Sequence, residues 1–203
     1  MSGDRETLSV YDAEADRYAE VTAALRQDPD LAAFVGALPA GGRVLDLGCG
    51  PGIAAAAMAE AGLAVDATDA SQEMVRLAAA QPGVTAWQAS FDEIAGEALY
   101  DGVWANFSLL HAPREAMPRH LAAIRRALKP GGRFHLGVKT GRGERRDRLG
   151  RLYTYYTEAE LDERLQEAGF EVIARRRGRD KGLDGEMADW VTLAALAAPV
   201  PRG

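Results

Sequence analysis

The chain has 203 residues, of which 47% are hydrophobic and 27% are charged. These proportions are typical of a globular domain with a sizeable core, so we expect a single domain over residues 1–203. The formal net charge of −6 argues against a general nucleic-acid-binding protein, whose surface would be basic, and no apolar stretch is long enough to span a bilayer. We therefore expect a cytoplasmic protein that does not bind membranes, and the composition does not indicate its oligomeric state.

Residues 1–42 precede the first strand-like segment. Apolar and aromatic side chains recur there at steps of three and four residues, first around Tyr11 and Tyr18 and again around Leu31 and Phe34. This periodicity predicts amphipathic helices. Residues 1–42 are therefore interpreted as a helical cap packed on the rest of the domain.

Residues 43–60 read as a strand, a glycine-rich turn and an alanine-rich helix. Gly48, Gly50 and Gly52 lack a Cβ atom, so the backbone can turn sharply there and lie against a flat ligand. The positive N-terminal end of the following helix points to the same place. Dinucleotide, phosphate and sulfonium-nucleoside sites all use such a turn, so its neighbours must discriminate between them.

The neighbours of the turn exclude two of these sites. The dinucleotide pattern needs Gly or Ala at position 53, where this chain has Ile53, and the P-loop needs a Lys followed by Ser or Thr. The pattern Asp46-x-Gly48-x-Gly50-x-Gly52 instead resembles motif I of the class I S-adenosylmethionine (SAM)-dependent methyltransferases. The resemblance implies that Asp46 and the three glycines bind SAM.

The same resemblance covers roughly residues 11–197 of the chain. In small-molecule methyltransferases, segments similar to residues 11–18 lie over the cofactor as a lid. Tyr18 is therefore a candidate cofactor contact and Tyr11 a candidate substrate contact. The alternative is that both tyrosines only pack on the sheet, because an amphipathic stripe is usually part of the core.

Strand-like and helix-like segments alternate from residue 43 onward. Strands are predicted at 43–47, 64–68, 84–88, 101–106, 132–138, 170–177 and 190–197, and helices near 52–60, 71–80, 114–128 and 157–168. Alternation of this kind predicts an α/β fold with a parallel sheet and helices on both faces. The resemblance implies a Rossmann-like, seven-stranded, mostly parallel sheet with an antiparallel last strand. The expected parts are a cap (1–42), a cofactor-binding core (43–139), a substrate loop (140–156) and a closing helix and hairpin (157–198).

Open α/β sheets bind ligands at the carboxyl ends of their strands, and an acid follows the second predicted strand at that end. Asp69 stands there with Ala70 beside it, and its carboxylate can accept hydrogen bonds from both hydroxyls of a ribose. Asp66 is the competing acid, but it lies within the strand. Asp69 and Ala70 are therefore predicted cofactor contacts.

Residues after the third and fourth strands are assigned to the cofactor by the resemblance. Ser90 stands where the family often has an Asp beside the adenine ring, and Phe91 either stacks on the adenine or packs in the core. Asn106 ends the fourth strand, where the family approaches the amino-acid end of the cofactor and its methyl group. These three residues complete the predicted cofactor site.

His111 is the histidine expected near the reactive face, and its ordinary pKa makes it the candidate general base and a substrate contact. The alternative is a structural histidine whose ring nitrogens are satisfied within the fold. His120 is expected on a helix surface and His135 within a strand. Transfer of a methyl group from a sulfonium demands mainly positioning and exclusion of water, so a base is needed only if the acceptor must lose a proton. No metal is expected, because Asn106 and Lys139 occupy places where metal-dependent relatives carry acids.

The segment from Lys139 to Tyr156 holds six basic residues, two acids and three tyrosines. Such a long loop beside the cofactor is usually functional; its arginines can bind a carboxylate or phosphate and its tyrosines an apolar body. The alternative is a solvated loop over packed tyrosines. A small acceptor is expected, and the basic residues would suit an anionic one. The candidate substrate contacts are Tyr11, His111, Lys139, Arg148, Tyr153 and Tyr156.

The leading functional interpretation is a SAM-dependent methyltransferase that moves a methyl group to an oxygen or nitrogen of a small molecule and leaves S-adenosylhomocysteine. RNA or protein methylation is the alternative within the same family, and the acidic balance makes RNA the weaker choice. An NAD-dependent oxidoreductase and a non-catalytic SAM-binding module are the remaining alternatives. Ile53 and the predicted closing hairpin disfavour the oxidoreductase.

Overall fold

The computed structural model describes residues 4–198, apart from the side chain of Leu25. Within that range the α-helices are α1 (Arg5–Ala13), α2 (Ala15–Thr22), α3 (Pro29–Gly36), α4 (Ile53–Glu60), α5 (Gln72–Ala79), α6 (Met117–Ala127) and α7 (Glu158–Glu167). The strands are β1 (Arg43–Leu47), β2 (Ala64–Asp69), β3 (Val84–Gln88), β4 (Tyr100–Asn106), β5 (Leu128–Lys139), β6 (Glu144–Arg146), β7 (Leu152–Thr154), β8 (Phe170–Lys181) and β9 (Met187–Ala197). Among the described residues no helix combines the length and the apolar character required to cross a membrane.

Seven strands form one sheet in the order β3-β2-β1-β4-β5-β9-β8. The first five run parallel to one another, whereas β9 pairs antiparallel with both β5 and β8. The predicted mostly parallel, seven-stranded sheet with an antiparallel last strand is therefore confirmed. The strand order reverses between β1 and β4, and such a reversal opens a crevice at the carboxyl ends of these strands.

Helices cover both faces of the sheet, as predicted. On one face Val44 and Trp104 pack with side chains from α3, α4 and α5. On the other face Leu45 and Val103 pack with side chains from α6 and α7. Neighbouring residues of one strand thus serve opposite cores, because successive strand side chains point to opposite faces.

Several element boundaries differ from the sequence prediction. The helical cap is interrupted at Glu14, whose backbone (φ −107°, ψ 14°) separates α1 from α2. The strand β5 begins at Leu128 rather than at residue 132, and a register shift against β4 accommodates the intervening turn. The closing hairpin is also longer than predicted, since β8 extends to Lys181 and β9 begins at Met187.

The segment predicted as a substrate loop contains a small antiparallel hairpin of β6 and β7. Arg151 lies just before β7, and its guanidinium is paired with Asp147 at 2.6 Å in a site where both side chains are almost fully buried. A buried cation needs a counter-ion and further hydrogen bonds, and the turn of the hairpin supplies the counter-ion from four residues away. Residues 142–146 and Arg148 are exposed, whereas Arg151 and the three tyrosines are buried, so the segment combines an exposed basic hairpin with a base that packs against the domain.

Candidate functional site

A cleft lies at the carboxyl ends of β1, β2 and β4, beneath the cap helices α1 and α2. The space in it that the centre of a water-sized sphere can reach is about 80 Å³. A narrower extension beneath Tyr18 reaches Asp46. The predicted site residues that line the main cleft are Tyr11, Tyr18, Gly48, Gly50, Asp69, Ala70, Ser90, Phe91, Asn106 and His111.

The three glycines of the turn have different surroundings, although all three have positive φ angles. A Cβ atom on Gly48 would lie 2.3 Å from the Cβ of Ser108, and one on Gly50 would lie 3.4 Å from the ring of Tyr18. A Cβ atom on Gly52 would lie 2.8 Å from the Cα of Ala78 in α5. The structure therefore brings Gly48 and Gly50 to the cleft, whereas Gly52 allows α4 and α5 to pack closely.

Asp69 is held at the end of β2 by two backbone groups. Its Oδ2 accepts from the N–H of Gly50 and its Oδ1 from the N–H of Ser71, both at 2.9 Å. Burial raises the pKa of Asp69, and the backbone N–H groups oppose that rise. The carboxylate is thus fixed in orientation at the wall of the cleft, with lone pairs left for a ligand's hydroxyl groups.

Asp46 carries an unpartnered polar atom. Its side chain is only 2% exposed, and among the described residues its Oδ2 has no hydrogen-bond partner. Burial first, and then the charge of Asp69, raises the pKa of Asp46 to about 7. A buried carboxyl oxygen without a donor is costly, so this end of the cleft suits a cationic or N–H-bearing group.

Asp66, the competing acid of the sequence analysis, serves the other face of the sheet. Its Oδ2 lies 2.8 Å from the guanidinium of Arg43 and accepts from the hydroxyl of Tyr100 at 3.0 Å. It does not line the cleft. Arg43 and Tyr100 satisfy this carboxylate within the protein, so it needs no ligand.

Ser90 and Phe91 follow β3, and both line the cleft. Ser90 caps a short turn through Glu93, and Phe91 packs against the core while still lining the cleft. The ring of Phe91 meets the ring of His120 edge-on, with centroids 5.8 Å apart. His120 is 1% exposed, so the expectation that it lies on a helix surface is wrong.

Phe107 lines the cleft and has an unusual backbone conformation, which the sequence analysis did not identify. Its φ angle is +55°, in the left-handed region that bulky residues rarely adopt. Its N–H donates to the carbonyl of Gly137 at 2.9 Å, and its ring meets Trp190 edge-on. This turn directs the chain away from β4 immediately after Asn106.

His111 is tied to the cap by a hydrogen bond to Tyr11. Its Nδ1 lies 2.6 Å from the carbonyl oxygen of Leu152, which can only accept, so Nδ1 carries the hydrogen. Its Nε2, 2.8 Å from the hydroxyl of Tyr11, then accepts from that hydroxyl. Burial lowers the pKa of His111 to about 4. The imidazole is therefore neutral near pH 7, and its lone pair is used by Tyr11.

The β6–β7 hairpin lies behind this pair. Arg151 donates to the hydroxyl of Tyr11 at 3.2 Å, and the ring of Tyr153 lies against His111. The ammonium of Lys139 lies 3.7 Å from the centroid of the Tyr153 ring. Lys139 and Tyr153 thus form a second layer behind the residues that line the cleft.

Two predicted substrate contacts lie elsewhere. The side chain of Arg148 is 74% exposed and pairs with Glu186 at 2.9 Å on the outside of the hairpin. Tyr156 is fully buried beneath Arg114, whose guanidinium lies 4.7 Å from the ring centroid. The structure brings neither residue to the cleft.

Other lining residues were missed by the sequence analysis. They are Asp4, Thr7, Leu8, Met74, Phe107 and Ser108. The periodicity that predicted the cap was traced only from Tyr11, so the first turns of α1 were overlooked. Ser108 has no local signal, since its hydroxyl is identified only by its donation to the carbonyl of Leu47 in another strand.

Comparison with known proteins identifies the family. A family model described as "Methyltransferase domain" matches residues 16–175, which is well over half of the chain. Among solved structures, the chain is similar to the 1,6-didemethyltoxoflavin-N1-methyltransferase of Burkholderia thailandensis, determined with 1,6-didemethyltoxoflavin and S-adenosylhomocysteine. That comparison has a TM-score of 0.76 and 28% identity, and it covers 98% of this chain and 92% of the other.

Two curated relatives match over shorter stretches. The chain is 37% identical over 132 residues to the cypemycin N-terminal methyltransferase of a Streptomyces species, covering 61% of this chain and 54% of that protein. It is 35% identical over 108 residues to the ubiquinone biosynthesis O-methyltransferase of Xanthomonas axonopodis pv. citri, covering 49% of this chain and 44% of that protein. The matches thus span about half the length of these relatives. The family match and the sheet order together show that the chain belongs to the class I SAM-dependent methyltransferases.

Proposed function

We propose that this protein transfers a methyl group from SAM to an oxygen or nitrogen atom of a small-molecule acceptor. One observation carries the proposal: the glycine turn, a fixed carboxylate and an unpartnered carboxyl oxygen converge on one cleft beneath an aromatic cap. The toxoflavin and ubiquinone methyltransferases among the similar proteins are named for small acceptors, which supports the same class of acceptor here.

The residues of the cleft fit SAM at four points. Asp69 suits the two ribose hydroxyls, and the backbone at Gly48 and Gly50 gives the nucleoside a surface without side chains. The free oxygen of Asp46 suits the ammonium group of the amino-acid end. Ser90 and Phe91 would border the adenine ring. When bound, SAM supplies a sulfonium-activated methyl group.

The protein's own contribution is to position the acceptor and to exclude water. Tyr11 and Tyr18 cover the cleft with rings that meet edge-on, 5.3 Å apart at their centroids. His111 keeps the hydroxyl of Tyr11 in place, so we assign His111 a positioning role for the cap. Its low pKa makes it a weak proton acceptor. His111 would act as a general base only for an acceptor that displaces Tyr11 from Nε2.

We further propose that the acceptor carries a negative charge. Lys139 is half-buried, and among residues 4–198 no carboxylate lies within ion-pair distance of its ammonium. Burial lowers the pKa of Lys139, and Arg151 and Arg145 lower it as well, whereas the carboxylates of Asp184 and Asp147 oppose that shift from a distance. A ligand anion in direct contact would stabilise this cation. Tyr153, on which the ammonium lies, would then border the acceptor.

We also propose roles for the parts of the domain, a small size for the acceptor and a cellular location. Residues 1–42 serve as the cap, 43–139 as the cofactor-binding core, 140–156 as the acceptor-binding segment and 157–198 as the closing part of one domain. The acceptor is small because the cap narrows access to the cleft, which disfavours RNA or folded protein. The cytoplasmic location also remains a prediction from composition.

The proposal is tested first by calorimetric titration of the protein with SAM, S-adenosylhomocysteine and NAD. We expect binding of both sulfur nucleosides and no binding of NAD. Tight binding of NAD alone would overturn the proposal. Mass spectrometry then follows methylation of a panel of small phenols, amines and heterocycles, each with and without a carboxylate, with an RNA oligonucleotide and a peptide as comparisons.

The charge of the acceptor is tested by Lys139→Met once an acceptor is found. We expect a rise of about tenfold in its KM because a charged hydrogen bond is lost, with an unchanged affinity for S-adenosylhomocysteine. Arg148→Met is the matched control, since it also removes a cation from this segment but far from the cleft. Equal effects of the two substitutions would refute a specific role for Lys139.

A further inference from the structure

Asn106 ends β4 at the point where the main cleft meets its extension, and its side chain lines both parts. The Oδ1 atom of Asn106 lies 3.0 Å from Nε2 of His135 on the neighbouring strand β5. The two residues are not direct register partners, since Asn106 stands opposite Gly137 and His135 opposite Trp104. The side chain of Asn106 therefore lies across β5 to reach His135.

Gly137 makes this arrangement possible. A Cβ atom on Gly137 would lie 2.4 Å from Oδ1 of Asn106, so any other residue would collide with the amide. His135 is fixed as well, because its ring stacks on Trp104 with centroids 3.6 Å apart and an interplanar angle of 15°. The partners of Asn106 are thus held rigidly before any ligand arrives.

The tautomer of His135 follows from its partners. Burial lowers its pKa to about 3; the charge of Asp30 opposes this shift and that of Arg176 adds to it, so the ring is neutral and carries one N–H. Among the described residues, Asn106 is the hydrogen-bond partner recorded for this ring. A hydrogen on Nε2 has Oδ1 of Asn106 as its acceptor, whereas a hydrogen on Nδ1 would leave two lone pairs facing each other across this 3.0 Å contact. Nε2 therefore donates and Asn106 accepts.

We propose that His135 is a positioning residue that turns the NH₂ group of Asn106 into the cleft, where it donates to the carboxylate at the amino-acid end of SAM. This inference rests on the proposed function. Asp46 and Asn106 then present opposite polarities at that end of the cleft, an acceptor for the ammonium group and a donor for the carboxylate. His135 itself does not line the cleft; it acts through Asn106.

The test is a double-mutant cycle read by calorimetric affinity for S-adenosylhomocysteine. His135→Phe keeps a flat ring on Trp104 but removes the N–H, and we expect about fivefold weaker binding. In the Asn106→Ala background the same substitution should cause no further loss. Thr192→Val is the matched control, because Thr192 is buried on the same face and bonds to Asp30 rather than to Asn106. The proposal would be overturned if His135→Phe weakened binding equally with Asn106 and with Ala at position 106. It would also be overturned if His135→Phe did not weaken binding when Asn106 is present.

A second measurement does not depend on the variants or on the cofactor. Nitrogen-15 NMR of the ligand-free wild-type protein distinguishes the two neutral tautomers of His135. A protonated Nε2 supports the proposal, and a protonated Nδ1 overturns it even if His135→Phe fails to fold. Absence of any binding of S-adenosylhomocysteine to the wild-type protein would refute both the proposed function and the carboxylate contact, whereas the tautomer alone reports on the contact between His135 and Asn106.

Discussion

The two halves of the cleft are built in different ways. The half in which we propose that the cofactor binds, here called the cofactor half, comes from the glycine turn and Asp69. They are 21 positions apart or fewer, and Asp69 accepts backbone hydrogen bonds from Gly50 and Ser71. The cap half comes from side chains that meet across the whole chain, such as Tyr11 with His111 and Asp4 with Arg146. Removing a side chain of the cofactor half should therefore weaken ligand binding. Removing a side chain of the cap half should weaken the attachment of the cap to the domain.

The largest effect is expected for Asp69→Ala. Loss of two charge-assisted hydrogen bonds to a ribose should weaken binding of S-adenosylhomocysteine about 100-fold or more, measured by calorimetry. Asp66→Ala is the matched control in the same strand. It should leave the affinity unchanged while lowering the free energy of unfolding by about 1–3 kcal/mol, because Arg43 and Tyr100 lose their partner. Weaker binding in the control would contradict the assignment.

Gly52→Ala should act on stability rather than on binding. Its methyl group would collide with Ala78 at a left-handed backbone position, so we expect a loss of about 2–4 kcal/mol in the free energy of unfolding by urea. Gly50→Ala has room beside Tyr18 and should cost about 1–2 kcal/mol, mainly from its backbone. Its methyl group faces the cleft, so the affinity for S-adenosylhomocysteine should fall. If Gly52→Ala weakened binding and Gly50→Ala mainly lowered stability, the roles given to the two glycines would be wrong.

Tyr11→Phe tests the attachment of the cap. It deprives the Nε2 atom of His111 of its donor and Arg151 of an acceptor, which should cost about 1–2 kcal/mol in the free energy of unfolding. Dissociation of S-adenosylhomocysteine should become several times faster. Tyr155→Phe removes a hydroxyl bonded by Arg145 outside the cleft and should not change that rate. Identical dissociation rates in the two variants would argue against a cap that holds the cofactor.

The smallest expected effect is the release of protons when the cofactor binds. The pKa of Asp46 is raised to about 7, above an unfolded value of about 3.9, so this group lowers the stability of the free protein as the pH rises from about 4 to about 7. Binding of the ammonium group favours the ionised carboxyl and should release a fraction of a proton at about pH 6.5. Calorimetry in buffers with different ionisation heats measures this release. Asp46→Asn should abolish it, and an unchanged release would exclude Asp46 as its source.

The sequence predicted the glycine turn and the position of Asp69 at the end of a strand because these signals are local. The pattern from Asp46 to Gly52 and the acid after β2 specify a turn and a strand end within one continuous stretch. The cap half was predicted less well, since the burial of His120 and the β6–β7 hairpin depend on distant partners. Periodicity indicated a helical cap, but it could not indicate that a hydroxyl of the cap would occupy the lone pair of His111.

Phe107 has a consequence for any attempt to make this protein more robust. Holding a bulky residue in the left-handed region costs on the order of 1–3 kcal/mol, and here the cost falls where β4 opens into the cleft. Glycine would relieve it, but it would also remove the ring that lies between the cleft and Trp190. We therefore expect thermostability and ligand binding to compete at Phe107. Ala98, the other described non-glycine residue with positive φ, lies outside the cleft, and no such competition is expected there.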